Sequence, residues 1–288
     1  MMLLTPNPEQ QAFKAAMRHQ WDQSAQGWND NAEQIGAWLA RGTEAMLEMA
    51  GVRPGARVLD VAAGTGEQTL LVAERVGPTG SVLATDLSPA IVALAQANAE
   101  RAGHRNVRTQ VADGESLGLA PACFDAAVCR LGLMFFPNPL QGLREMRRAL
   151  RPGGGVCTMV FSRPEHNPCI TILMSTALKH AGLTPRDPNQ AGGLLSLGRP
   201  GLVEALFQQA GFNEVATTVI DAPFTLPSVH HYVEFIRSSA SPVLQILGRL
   251  DEQAAAAAWA EIEERLAVFN IAGGWQGPNE LLLTAGRR

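Results

Sequence analysis

The sequence predicts an α/β fold in which short strands alternate with helices around a mainly parallel sheet. A short apolar run begins at Val58 and breaks at Ala62 into small residues and glycines. Further strand-like runs at 80–85, 107–111 and 124–129 are followed by Asp86, by Ala112-Asp113 and by Arg130. Helical patterns separate these runs at about 67–76, 88–102 and 139–150. This alternation is typical of βαβ units that build a parallel sheet.

Local signals support the individual elements. Ser88-Pro89 combines a good N-cap with proline at the first helical position. The helix at 139–150 is amphipathic and is followed by Pro152-Gly153-Gly154, which predicts its end, and by an apolar strand from Val156 to Phe161. The remaining predicted elements are helices within 5–50, near 168–181, at 199–210 and over 228–270, with strands at 212–220 and 279–285.

Composition limits the possible functions of the chain. It has 288 residues and a net charge of −4, which argues against a broad electrostatic grip on nucleic acid or on an anionic membrane. No apolar run approaches the ~20 residues of a membrane span, and the N-terminus lacks a secretory pattern, so a cytoplasmic location is expected. The four cysteines lack zinc-site spacing, and we expect reduced thiols and no metal site; they are Cys123, Cys129, Cys157 and Cys169.

The break after the first strand is the strongest indication of a ligand site. Small residues at Ala62, Ala63, Gly64 and Gly66 permit a sharp strand-to-helix turn whose free amide groups can face a ligand. Asp86 ends the second strand, where a carboxylate is placed to bind a ribose diol. These two features together indicate a nucleotide-like ligand.

Taken together, these motifs resemble the class I S-adenosylmethionine-dependent methyltransferases, and within them the branch of ubiquinone/menaquinone biosynthesis. The resemblance is strong over about 45–161 and weaker at 199–224 and 279–286. The Leu-Arg-Pro-Gly-Gly stop at 150–154 is typical of this family, whereas Ala62 stands where many members have glycine. The resemblance implies a Rossmann-like sheet of seven mostly parallel strands with an antiparallel last strand, helices on both faces and a helical cap.

The same resemblance predicts the organisation of the chain. Residues 1–45 would form an N-terminal helical lid, and 46–288 the methyltransferase domain. Segments at about 162–198 and 225–272 are insertions relative to the connections between strands that the fold requires. The second insertion lies between the last two strands. We expect both segments to cover the acceptor site, because ligands of such sheets bind beyond the carboxyl ends of the strands.

The resemblance also assigns a cofactor, S-adenosylmethionine, with S-adenosylhomocysteine as product. Asp60 and the turn would hold its methionine end, Asp86 its ribose and Asp113 its adenine amino group. The expected cofactor-binding residues are Asp60, Ala62, Ala63, Gly64, Gly66, Asp86, Leu87, Asp113, Gly114, Arg130 and Leu131. The charged residues among them have structural alternatives: Asp60 could cap a helix, Asp86 and Asp113 could serve turns, and Arg130 could pair with a carboxylate.

The residues that would contact the methyl acceptor are predicted from side-chain chemistry alone. Histidine can accept a proton near neutral pH, so the candidate bases are His166, His230 and His231, with Tyr232 beside them. Trp21, Trp28, Phe135 and Tyr232 are candidates for the acceptor pocket. Solvated histidines and core aromatics are the structural alternatives, and many enzymes of this branch need no dedicated base.

The predicted function is methyl transfer to a small-molecule acceptor, such as a secondary metabolite, by in-line displacement. Oxygen, nitrogen, carbon and sulfur acceptors all fit, and oligomeric state is left open. An NAD(P)-dependent oxidoreductase is one alternative, although Thr69 occupies the place of its third glycine. The other is a protein that binds the same cofactor without methylating. Nucleic acid is not expected as a partner, because the fourth strand is followed by Arg130 and Leu131 rather than an Asn/Asp-Pro-Pro motif.

Overall fold

A computed structural model describes residues 8–184, 187 and 190–288 and contains ten strands and ten α-helices within them. The strands are β1 Arg57–Val61, β2 Ser81–Asp86, β3 Val107–Val111, β4 Phe124–Arg130, β5 Leu150–Phe161, β6 Asn213–Asp221, β7 Phe224–Leu226, β8 Asn270–Ile271, β9 Gly274–Gly277 and β10 Glu280–Arg287. The helices are α1 Pro8–Asp30, α2 Ala32–Ala50, α3 Glu67–Val76, α4 Pro89–Arg101, α5 Pro139–Ala149, α6 Pro168–His180, α7 Leu202–Gln209, α8 Val229–Ser239, α9 Ser241–Leu247 and α10 Glu252–Leu266.

The main sheet has seven strands in the order β3-β2-β1-β4-β5-β10-β6. Neighbouring strands from β3 to β5 are parallel, whereas β10 is antiparallel to both β5 and β6. The chain moves outward from β1 to β3 and then returns to β4, so a topological switch point lies between β1 and β4. This sheet confirms the predicted Rossmann-like fold, and the switch point is where such sheets bind ligands.

Helices cover both faces of this sheet. Helices α2, α3 and α4 pack together and against the strands, while α5 and α7 form a second group that contacts β5, β6 and β10. Serine 88 caps α4 as predicted, because its side chain accepts a hydrogen bond from the backbone N–H of Ile91. Leu59, Val128 and Met159 lie in the core between the layers and have no exposed surface.

Strand β5 begins six residues before the predicted start at Val156. The Pro-Gly-Gly segment does end α5, but it continues along β4 as an irregularity: Leu150 pairs with Phe124 and Gly155 already pairs with Ala126. The Arg151 guanidinium lies 2.5 Å from the Asp125 carboxylate and fixes this segment. The glycine-rich segment therefore forms an irregularity in the pairing of β5 with β4 as well as the end of α5.

An insertion between β6 and β10 contains three helices and a small sheet. The Ala-rich run lies in α10, whose first turn is capped by the Asp251 side chain through the backbone N–H of Ala254. The sheet has the strand order β7-β9-β8 and was not predicted, since strands of two to four residues are too short to show alternation. Across the described residues, no helix combines the length and apolar character needed to cross a membrane.

Two residues at the switch point have left-handed backbone conformations that are rare outside glycine. Ala62 follows β1 with φ of 55°, and Leu131 follows β4 with φ of 54°. The Ala62 methyl group lies directly against Gly132, where any added Cβ would overlap it. The alanine that departs from the family pattern is therefore accommodated by a glycine on the neighbouring strand end.

We expect Gly132→Ala to lower the free energy of unfolding by about 1–3 kcal/mol through this overlap. Ala62→Gly alone should be close to neutral, because relief of the left-handed strain offsets the extra chain entropy. In the Ala62→Gly background, Gly132→Ala should lower the free energy of unfolding clearly less. A smaller loss should remain, because the Cys129 Sγ lies 3.0 Å from the position of the new Cβ. Urea unfolding of the four proteins measures this coupling. Additive effects would contradict it, and Ala63→Gly combined with Gly132→Ala serves as the additive control.

Candidate functional site

A cavity of about 260 Å³ opens at the carboxyl ends of β1, β2 and β4. Its wall contains nine of the eleven predicted cofactor residues: Ala62, Ala63, Gly64, Asp86, Leu87, Asp113, Gly114, Arg130 and Leu131. Residues separated by about 70 positions in the chain thus meet at one edge of the sheet, as the parallel topology requires. Helices α1, α2, α6, α8 and α9 provide the opposite wall.

Asp60 and Gly66 lie beneath this wall rather than on it. The Asp60 carboxylate has no exposed surface and accepts hydrogen bonds from the Gln68 amide and, at 2.7 Å, from the Thr69 hydroxyl. Burial raises the pKa of Asp60 to about 6 despite these donors. Gly66 packs against α4, since a Cβ there would lie 3.2 Å from the Ala95 backbone. Both residues shape the turn from behind.

Asp86 faces the cavity from the end of β2. One carboxylate oxygen accepts a hydrogen bond of 3.2 Å from the Gly64 backbone N–H, and the other accepts one of 3.1 Å from Ser88 N–H. Desolvation raises the pKa of Asp86 to about 6, and the backbone donors only partly oppose it. The side chain therefore holds the first turn in place and presents its remaining lone pairs to the cavity.

An ion pair stands where β4 meets the start of α3. The Arg130 guanidinium binds the Glu67 carboxylate and also donates to the Thr43 hydroxyl at 2.9 Å. Only 8% of the Arg130 side chain and 19% of the Glu67 side chain are exposed. Gly36 of α2 lets Glu67 lie close to that helix, because a Cβ at 36 would lie 2.7 Å from the carboxylate. Glu67 is not among the site residues predicted from the sequence, although it directly follows the glycine turn.

A second charged cluster joins α1 to the end of β3. The Lys14 ammonium lies 2.7 Å from the carboxylates of both Asp113 and Glu115. Burial opposes the charge of Lys14, but hydrogen bonds to the two carboxylates outweigh this effect and raise its pKa. Asp113 also accepts a hydrogen bond of 2.9 Å from the Glu115 backbone N–H. Lys14 is 99 residues from Asp113, and no local pattern in the sequence indicates the contact.

Aromatic rings line the rest of the cavity, including all four predicted pocket residues: Trp21, Trp28, Phe135 and Tyr232. Trp21 contacts Phe135 edge-on, with ring centroids 5.2 Å apart, and Trp28 lies 6.0 Å from Trp21. The chain of rings continues through Phe235 and Phe224, neither of which was predicted. Such edge-to-face contacts fix ring orientations.

Trp38 and Phe224 stack with centroids 4.7 Å apart, and they line a second cavity of about 350 Å³ as well as the first. The Trp38 indole N–H donates to the Ala222 carbonyl at 2.7 Å. Arg41 and Asp221 belong to the wall of the second cavity. This ring pair thus belongs to the wall of both cavities.

None of the three predicted histidine bases lies on the described cavity wall. His166 Nδ1 is 2.5 Å from Glu280, His230 Nδ1 is 3.5 Å from Glu263, and the His231 ring is 2.8 Å from the Ser228 hydroxyl. Helix α8 turns Tyr232, Phe235 and Ile236 inward, which leaves His230 and His231 exposed on its other face. The expectation that these segments bring a histidine to the cavity is therefore not met.

Among the described residues, neither the cysteines nor the possible metal ligands indicate a disulfide or metal site. All four cysteines are free; Cys129, Cys157 and Cys169 are buried and Cys123 is half-buried. Burial raises the pKa of the Cys129 and Cys169 thiols to about 12, so both are protonated near neutral pH. No group of three His, Cys, Asp or Glu side chains is arranged to hold a metal ion among these residues.

Comparison with known proteins assigns this arrangement to a family. A family model described as "Methyltransferase domain" matches residues 58–154. The ubiquinone/menaquinone biosynthesis C-methyltransferase UbiE of Ectopseudomonas mendocina (strain ymp) is 36% identical over 131 residues, which is 45% of this chain and 51% of that protein. The chain thus spans about half the length of the curated relatives it matches.

Solved structures agree with the fold. The YcgJ protein of Bacillus subtilis superimposes with a TM-score of 0.58 at 18% identity and covers 86% of this chain and 98% of its own. Phosphoethanolamine N-methyltransferase 2 of Haemonchus contortus, solved with S-adenosylhomocysteine, has a TM-score of 0.59 at 16% identity and covers 94% of this chain and 60% of its own. These findings favour the methyltransferase prediction over the dinucleotide oxidoreductase. Residues 58–154 thus match a methyltransferase domain, and the described fold is similar to that of solved class I S-adenosylmethionine-dependent methyltransferases.

Proposed function

We propose that the chain binds S-adenosylmethionine at the strand ends and transfers its methyl group to a small, neutral acceptor in the aromatic half of the same cavity. The observation that carries this proposal is the division of one continuous wall into a charged half and an apolar half. The charged residues on the described wall all belong to the strand-end half: Lys14, Glu67, Asp86, Asp113, Glu115 and Arg130.

The charged half fits each part of the cofactor. Glu67 and Arg130 offer one charge of each sign to an α-ammonium and an α-carboxylate. Asp86 has free lone pairs for two ribose hydroxyls, and Asp113 can accept from an adenine amino group. When bound, the cofactor supplies a methyl group that its sulfonium sulfur has already activated.

The apolar half would position the acceptor and exclude water. Ring and aliphatic side chains from α2, α6 and α8 would hold the acceptor in line with the methyl group, and such positioning supplies about 7–11 kcal/mol of a barrier. A charged acceptor would lose its hydration without gaining an opposite charge, which is costly. The net charge of −4 also favours a small molecule over nucleic acid.

We further propose that residues 1–45, together with the segments at 162–198 and 225–272, act as a lid over the acceptor. Phe13, Met174 and Phe235, one from each part, lie on the cavity wall. Asp22 ties α1 to the start of α4, since its carboxylate accepts from the Ser88 hydroxyl at 2.5 Å and from Ala90 N–H at 3.2 Å. Residues 1–7, 185, 186, 188 and 189 of these segments lie outside the described residues.

The proposal is tested by incubating the protein with methyl-labelled S-adenosylmethionine and a panel of acceptors. We expect label in neutral hydroxyaromatic compounds and none in phosphoethanolamine or sarcosine, because only the first group can enter an uncharged pocket without a large desolvation penalty. Scintillation counting after extraction and mass spectrometry measure the product. Cofactor binding without label transfer to any compound would instead support a protein that binds the cofactor without methylating.

Asp86→Ala should weaken binding of S-adenosylhomocysteine by about 30- to 150-fold, equivalent to ~2–3 kcal/mol for two lost charge-assisted hydrogen bonds. In the unmodified protein the affinity should fall as pH drops below about 6, because the raised pKa of Asp86 lets a proton compete with the ribose hydroxyls. Above pH 7 the carboxylate is ionised and affinity should be constant. Calorimetric titration between pH 5 and 8 measures both effects.

Asp86→Asn should lower the affinity and remove most of this pH dependence, whereas Asp30→Asn, at an exposed position of α1, should change neither. An unchanged pH profile in Asp86→Asn would assign the titration to another group and remove Asp86 from the ribose site.

Asp22→Ala should loosen α1 without altering the sheet, because it removes both hydrogen bonds to the start of α4. We expect faster amide hydrogen exchange throughout α1 and an affinity for S-adenosylhomocysteine reduced by up to about tenfold. Asp30→Ala is the matched control on the same helix, since the Asp30 side chain bonds only to Gln26 within α1. Equal exchange and equal affinity in the two variants would contradict the lid.

A further inference from the structure

The Tyr232 hydroxyl makes no hydrogen bond with any described residue, and among the polar groups of the apolar half it shares this with the Trp28 indole N–H. The Ser239 hydroxyl, on the same helix, donates to the Phe235 carbonyl at 2.6 Å. The Trp38 indole N–H is likewise occupied by the Ala222 carbonyl. Buried tyrosine hydroxyls are normally satisfied, so an unused one on a cavity wall indicates a ligand contact.

The Tyr232 ring is fixed although its hydroxyl is free. It stacks on Trp275 with centroids 4.5 Å apart and meets Phe224 at 83° and 5.9 Å. Trp275 is itself held by a 2.8 Å hydrogen bond from its indole N–H to the Leu266 carbonyl. A donor on a ring this constrained loses little further freedom when it binds a partner.

Asn279 provides a complementary group on the same wall. Its side-chain amide N–H donates to the Gly277 carbonyl at 3.3 Å, which turns the side-chain oxygen away from that contact. This oxygen accepts no hydrogen bond from the described residues, and only 7% of the residue is exposed. The apolar half therefore presents unused donors at Tyr232 and Trp28 and an unused acceptor at Asn279.

We propose that Tyr232 and Asn279 recognise the acceptor molecule: the Tyr232 hydroxyl donates to an oxygen of the acceptor, and the Asn279 side-chain oxygen accepts from a hydroxyl of the acceptor. Tyr232 acts as a donor because burial in this aromatic environment keeps its hydroxyl protonated. The surrounding rings favour a flat, uncharged body between these contacts. This inference rests on the proposed function and specifies the class of acceptor for that site.

Three probes of nearly equal shape separate the two contacts. 2-Naphthol can both accept and donate a hydrogen bond, 2-methoxynaphthalene can only accept, and naphthalene can do neither. Each is titrated calorimetrically into protein saturated with S-adenosylhomocysteine. Failure to bind S-adenosylhomocysteine would contradict the proposed cofactor site and is measured first, so the two proposals fail distinguishably.

We expect Tyr232→Phe to weaken the binding of 2-naphthol and 2-methoxynaphthalene by about twofold to tenfold, which is the range for one neutral hydrogen bond. The affinity for naphthalene should not change. Asn279→Leu should weaken 2-naphthol relative to the other two probes. The thermal midpoint of Tyr232→Phe should not fall, because the hydroxyl has no internal partner to lose. Equal weakening of all three probes, or a lowered midpoint, would indicate a purely structural tyrosine and overturn the proposal. Absence of binding by all three probes to the cofactor-loaded protein would overturn it as well.

Discussion

The site depends on a carboxylate that has no contact with solvent. Asp60 lies near the end of β1, and both of its oxygens are bound by the first turn of α3. Burying a charge is unfavourable unless hydrogen bonds compensate, and these two donors set the distance between strand and helix. The turn at 62–66 is fixed as a result. Its backbone then reaches Asp86, and the first residue of α3, Glu67, reaches Arg130.

Away from Asp60, the cavity wall changes from charged residues at the strand ends to aromatic rings farther along. Most charged groups on the described wall have a partner of opposite sign, as Arg130 has Glu67 and Lys14 has Asp113, whereas Asp86 is held by backbone N–H groups. Beyond them the wall is built from rings that satisfy one another through stacking and edge contacts. The result is a steep change in dielectric environment over the length of one small molecule, which strengthens electrostatic interactions near the boundary.

Much of this arrangement could be predicted from the chain. The βαβ order, the Ser88 cap and the strand-end residues at 86, 113 and 130 follow from local patterns, because each depends on neighbours in sequence. Helix α8 shows what was readable but missed: the apolar spacing of Tyr232, Phe235 and Ile236 already turns the adjacent histidines outward. The Lys14 cluster and the small three-stranded sheet had no local signal, since both arise from contacts between distant segments.

The ring pair of Trp38 and Phe224 belongs to the walls of both cavities, which bears on the length of the acceptor proposed above. Both rings border both cavities, so they form part of the wall that the two volumes share. An acceptor that extended from the first cavity past these rings would reach the second cavity, whose wall includes Arg41 and Asp221. If the first cavity holds the acceptor as proposed, these two side chains would limit the length of that acceptor. Smaller residues there would extend the reach of the pocket without altering the chemistry at the strand ends.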